Sequence, residues 1–180
     1  MHLIRFVGVA LLFLAIFAGR GAAQDDPSQR PSPPAKASCT FPDGKKITVD
    51  YSSPRMRGRK IFGGLVPDGE VWRAGANEAT TFVVNTNVTI NGKSVPAGSY
   101  TLFTLPNRDK WQLIISKQTG EWGIPYPGEE YDFGREEMQV TKLPAAVQNF
   151  LIAFDKSADR CTMRLDWEKT RASVDISEKN

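Results

Sequence analysis

Histidine is almost missing from this chain. The single imidazole, His2, lies inside a leader-like segment, so the processed chain would have none. That absence excludes Ser-His-Asp and Cys-His catalysis, and every zinc or copper site that needs an imidazole ligand. Cysteine is nearly as scarce, with only Cys39 and Cys161. An even pair near the two ends of a domain in an oxidising compartment favours a disulfide over two free thiols. Phosphate-cradling glycine patterns are missing too, since Gly58, Gly63, Gly64 and Gly69 have the wrong spacing for either nucleotide fingerprint. No EF-hand loop and no internal repeat occurs. These absences leave no expected cofactor and no expected metal. A surplus of one charge is also lacking. Without Arg5 and Arg20 of the leader, 21 basic side chains face 20 acidic ones. Nucleic acid is therefore not an expected partner.

Residues 1–24 read as a secretory signal: Arg5 gives a positive start, Phe6 to Ala18 an apolar stretch, and Gly21-Ala22-Ala23 a small-residue cleavage site. The apolar stretch is shorter than the roughly 20 residues a spanning helix needs, and Arg20 interrupts it. The expectation is a protein of the periplasm or the medium with no membrane span once the signal is removed. Residues 25–38, with Pro27, Pro31, Pro33 and Pro34 and no large apolar side chain, read as a flexible tether. Residues 39–177 are then one folded domain, and 178–180 a tail.

Within the domain, strand signals dominate. Lys46 to Tyr51 alternates apolar and polar, Thr80 to Asn85 is β-branched and aromatic, and Val88-Thr89-Ile90 meets Lys93-Ser94-Val95 across Asn91-Gly92, the strongest short hairpin signal. Tyr100 to Leu105 and Trp111 to Ser116 form a second hairpin pair. Gln139–Leu143, Phe150–Asp155, Thr162–Glu168 and Ala172–Ile176 add four short strands, with a helical turn over Ala145–Asn149. The fold class is all-β: a single antiparallel β-sandwich or flattened barrel with short strands and little helix. Phe82, Val84, Leu102, Leu113, Ile115, Phe150, Ile152, Phe154, Met163 and Leu165 are the expected core, with Trp72 and Trp167 at its rim.

Two stretches carry candidate chemistry. In Ser52 to Phe82, Arg55, Arg57 and Arg59 stand two apart, so in extended chain they would form one positive ridge. Gly63-Gly64 and Pro67-Asp68-Gly69 turn the chain back and bring Arg73, Asn77 and Glu78 to the same neighbourhood. Such a cluster either ties loops together or holds a carboxylate, phosphate or sugar hydroxyl. In Gly120 to Arg135, Trp122, Tyr126, Tyr131 and Phe133 accompany Glu129, Glu130 and Asp132. This loop either stacks a sugar or caps the open end of the sandwich. A carboxylate pair of Glu78 with Glu129, Glu130 or Asp132 would serve a glycan hydrolase.

The blocks RGRKIFGGLVPDGEVWRAGANEATTF, VPAGSYTLFTLP, WGIPY and LDWEKTRASV resemble DUF2911, a family of secreted bacterial domains of unknown function, over about Thr40 to Ile176. The resemblance implies one secreted domain and brings no catalytic residue with it. The leading expectation is a non-catalytic module that binds a small polar or anionic ligand, a glycan or an envelope protein partner. Its candidate contacts are Arg55, Arg57, Arg73, Asn77, Glu78, Trp122 and Tyr126. A carboxylate-dependent hydrolase and a purely structural envelope protein are the alternatives.

Overall fold

The computed structural model describes residues 26–108 and 110–179. The expected signal over residues 1–24 lies outside them. The described strands are β1 (Pro34–Thr40), β2 (Lys46–Ser52), β3 (Thr80–Val84), β4 (Val88–Ile90), β5 (Lys93–Val95), β6 (Gly98–Leu105), β7 (Trp111–Ser116), β8 (Asp132–Ser157) and β9 (Arg160–Glu178). They form one antiparallel sheet in the order β1-β2-β3-β6-β7-β8-β9-β4-β5. Helical content among the described residues is two short 3-10 turns, Pro27–Gln29 and Glu129–Tyr131. The fold is thus all-β and sandwich-like, with no closed barrel.

The two expected hairpins are present, with Ile90 opposite Lys93 in the first and Leu105 opposite Gln112 in the second. At the first, Asn91 and Gly92 both take positive φ, which the tight turn between right-twisted strands requires. The sheet makes two layers because β8 and β9 serve both. The first part of β8 pairs with β7, and from Gln139 onward it pairs with β9. The two layers are then tied together: Cys39 on edge strand β1 is disulfide-bonded to Cys161 on β9. The Tyr51 hydroxyl, on β2, accepts from the Ile152 amide and donates to its carbonyl. Nine of the ten expected core residues are buried between the layers, and Phe154 is half-buried.

Several expectations are corrected. The four short strands near the C-terminus are two long ones, β8 of 26 residues and β9 of 19. The helical turn over Ala145–Asn149 does not form. There β8 loses register with β9, passing from Lys142 to Leu151 while β9 passes only from Thr170 to Asp166. Pro144 has no N–H to keep a ladder bond, and the excess residues bulge outward and bond to Pro54–Met56 instead. The tether over 25–38 is strand from Pro34 onward. Edge strand β1 tolerates prolines because only one side of it pairs, and its partner is all of β2. At the other end, Glu178 is not tail but the last residue of β9, opposite Val88. The arginine ridge does not form either: Arg57 and Gly58 both have positive φ and turn the chain, with the Arg59 amide donating to the Met56 carbonyl. Trp167 is not at the rim but 1% exposed. It continues the inward set Cys161, Met163, Leu165 with the period of two that a strand imposes.

Candidate functional site

The chain between β2 and β3 lies across one end of the sandwich, and it builds a cleft of about 290 Å³. Its floor is aromatic. Trp72 and Trp167 stack at 5.6 Å and 22° between ring planes; Phe62 packs edge-on against both, and Phe150 packs edge-on against Trp72 and tilted against Trp167. Trp72 is fixed from two sides: its amide and carbonyl pair with Thr104 on β6, and its indole Nε1 donates to the Gly75 carbonyl at 3.1 Å. Gly75 is required there, because a Cβ would stand 2.9 Å from the Thr80 hydroxyl. The buried Trp167 Nε1 has no hydrogen-bond partner among the described residues. A donor left so costs on the order of 1–3 kcal/mol.

Two guanidinium groups line the same cleft, Arg59 and Arg73. Arg59 uses Nε and Nη2 on the Met56 and Arg55 carbonyls. Arg73 lies 5.3 Å from the Trp122 ring centre and gives Nη1 to the Trp122 carbonyl. Burial lowers the Arg73 pKa from its ordinary value, and Glu78 opposes this. The Arg73–Trp122 contact depends on Gly123, whose φ of +77 and closeness to Ala79 and Arg73 admit no side chain. Leu65 and Ile124, both exposed, complete the apolar lip.

The other candidates do not converge here. Arg55 lines a separate cleft of about 450 Å³ with Tyr51, Ser53 and the bulge of β8. Two polar side chains of that cleft are already engaged, the Ser53 hydroxyl on the Phe150 carbonyl and the Tyr51 hydroxyl on Ile152. Arg57 points from the tip of its turn into solvent. Asn77 and Glu78 bind the segment before β1: Asn77 Nδ2 donates to the Ser32 carbonyl at 2.9 Å, and Arg30 grips the Glu78 carboxylate at 2.8 and 3.0 Å. The Arg30 contact lowers the Glu78 pKa. For this pair the loop-tying reading describes the geometry. Tyr126 belongs to a third cluster. Its hydroxyl donates to Asp132, Arg135 joins Asp132 and Glu129 at 2.7 and 2.9 Å, and Phe103 meets the Tyr126 ring at 5.1 Å. Burial and the Asp132 carboxylate push the Tyr126 hydroxyl up to about 12. These contacts are those of a loop that caps the sandwich.

Of the carboxylates expected to pair across a scissile bond, Glu78 is thus engaged by Arg30, and Glu129 and Asp132 are both engaged by Arg135. Among the described residues no group of three His, Cys, Asp or Glu side chains is placed to hold a metal ion. No described helix is long and apolar enough to cross a membrane. Sequence reasoning missed Arg30, Leu65, Ile124 and Trp167 as members of these clusters, and it placed Arg59 in a ridge that does not form. Only Trp167 carried a usable signal, its phase with Met163 and Leu165.

An all-β domain with a disulfide across its layers and an arginine-lipped aromatic cleft is the class these features define. Residues 32–176 match the family model described as "Protein of unknown function (DUF2911)", most of the chain, and the protein belongs to that family. Neither the curated proteins nor the solved structures contain a significant match.

Proposed function

We propose that this is a secreted, non-catalytic binding protein whose cleft over Trp72 and Trp167 takes a small anionic ligand. The observation that carries the reading is the chemistry of the lining: Arg59 and Arg73 stand over an apolar and aromatic floor, with no acidic side chain in the lining. Glu78, whose charge acts on Arg73, already has Arg30 as its partner, so the arginines of the cleft keep their positive field. A neutral glycan fits less well, since sugar hydroxyls need side-chain acceptors and the lining supplies donors. The disulfide, buried at both cysteines, agrees with an oxidising compartment outside the cytoplasm, and the signal-like residues 1–24 agree with export.

The test is a thermal-shift screen of residues 25–180, oxidised, against organic acids, phosphates, sugar acids and neutral sugars. A native-state ligand at a hundred times its Kd stabilises by about 2.7 kcal/mol. Anions are expected to raise the melting temperature and neutral sugars not to. The shift should vanish in R59Q/R73Q and persist in K142Q, which alters a different cleft beside Trp111. Equal shifts in all three proteins would place binding elsewhere and sink the reading.

A further inference from the structure

The donors that remain in the cleft are specific in number and position. Arg73 has given up only Nη1 and retains its Nε–Nη2 edge, the fork that meets a carboxylate in two parallel hydrogen bonds. Arg59 has given up Nε and Nη2 and retains Nη1. Trp167 borders the cleft, with its Nε1 enclosed beneath the lining and without a partner among the described residues. Ser32 adds a hydroxyl, and the remaining side chains of the lining are apolar or aromatic. A ligand matching this surface has acceptors at one end and an apolar body. A phosphate dianion would present three oxygens to an incomplete set of donors and leave the indole floor bare. The cleft, at about 290 Å³, holds about ten water-sized groups at roughly 30 Å³ each. That volume suits a single ring bearing a short acid.

Resting on the anion-binding reading above, we propose that the ligand is a small aryl carboxylate. Its ring lies against Trp72 and Trp167 between Leu65 and Ile124. Its carboxylate takes the Nε–Nη2 edge of Arg73 and the free Nη1 of Arg59. Trp122, stacked on Arg73, is a positioning residue that keeps the guanidinium turned into the cleft.

The experiment is calorimetric and fluorescence titration of the oxidised chain with phenylacetate and indole-3-acetate, their uncharged amides, acetate and inorganic phosphate. The aryl acids are expected to bind and to quench tryptophan emission. Each amide should bind at least tenfold more weakly, and acetate and phosphate should not bind at millimolar concentration. R73Q should lower aryl-acid affinity at least tenfold and leave the amides unchanged, whereas K142Q should change neither. The placement of the ring is tested without a variant: the Trp167 ¹⁵Nε1–H resonance should move on saturation, and a stationary resonance would overturn that placement. Should sugar acids or phosphates bind with R73Q sensitivity while aryl acids do not, the aryl assignment falls and the anion site stands. Should no anion bind in a manner sensitive to Arg59 or Arg73, both fall.

Discussion

Replacing both cysteines by alanine should destabilise the protein more than any single substitution at the cleft. Cys39 and Cys161 are 122 residues apart in sequence, and their bond joins edge strand β1 to β9 on the other layer. In the chain-entropy treatment, closing a loop of that length removes about 2.1 + 1.5R ln(122) ≈ 16 cal/mol/K from the unfolded ensemble, or about 5 kcal/mol at 25 °C. Both side chains are buried, at 5% and 0% exposure, so losing the sulfurs adds a methyl-sized packing defect at each site, roughly 1 kcal/mol each. The expected loss is therefore about 5–7 kcal/mol, a large part of the ordinary 5–15 kcal/mol of a folded domain. At roughly 2–4 °C per kcal/mol this is a fall in Tm of at least about 10 °C. The assay is urea unfolding of C39A/C161A against the oxidised parent, with the m-value compared as well as the midpoint. A larger m-value in the double variant is expected, because an uncrosslinked chain exposes more surface. A loss below about 2 kcal/mol would refute the reasoning, and would mean that β1 is held on β9 by contacts that do not need the bond.

What the sequence made legible follows from how local each decision is. Asn91-Gly92 could be read because only a few residue types accept two successive positive φ angles, so the turn and its register come together. Arg57-Gly58 makes the same demand on the backbone, yet arginine is not a residue that announces it, and the expected ridge rested on an extended chain that is not there. The disulfide was legible from count and compartment. The β-strand at Pro34–Thr40 was not, because proline content speaks for the isolated segment, whereas pairing with β2 and the bond at Cys39 are supplied from elsewhere in the chain. The bulge in β8 was equally hidden: its partner, Pro54–Met56, lies some ninety residues away. The site shows the same division. Arg73 and Trp122 were both visible as candidates, but their contact depends on Gly123 lying against Ala79 and Arg73, a long-range approach with no local signature. Asn77 and Glu78 had the right chemistry for a site and are engaged by the segment that had been read as tether.

Gly123→Ala tests that approach: a Cβ there would be 2.9 Å from Ala79 Cβ at a φ of +77, so a loss of about 1–3 kcal/mol and a changed Trp122 emission are expected, and an unchanged Tm would refute the packing. Asp166, 2% exposed, is held by Arg171 through two bonds and by Arg164 through one. Asp166→Asn should cost roughly 2–4 kcal/mol in urea unfolding, toward the lower end because Arg164 keeps Asp155, and a cost below about 1 kcal/mol would show the arginines to be well solvated without it. In a spectrophotometric titration near 295 nm, one tyrosine should ionise only near pH 12, and Tyr126→Phe should delete that last step; its survival in the variant would move the assignment to another tyrosine. Glu121 gives the pH dependence. Its Oε1 is buried without a partner, and burial raises its pKa from the ordinary carboxylate value of 4.5. A folded-state pKa above the unfolded one means that the native chain binds this proton more tightly. The contribution is therefore fully favourable below about pH 4.5 and is lost as pH rises through the raised value, leaving an unpaired charge in the fold at neutrality. Glu121→Gln cannot ionise, so it should melt above the parent at pH 7 and converge with it near pH 4. A variant that melts below the parent at pH 7 by as much as at pH 4 would show that the carboxylate has a partner in solution and that its charge costs the fold nothing.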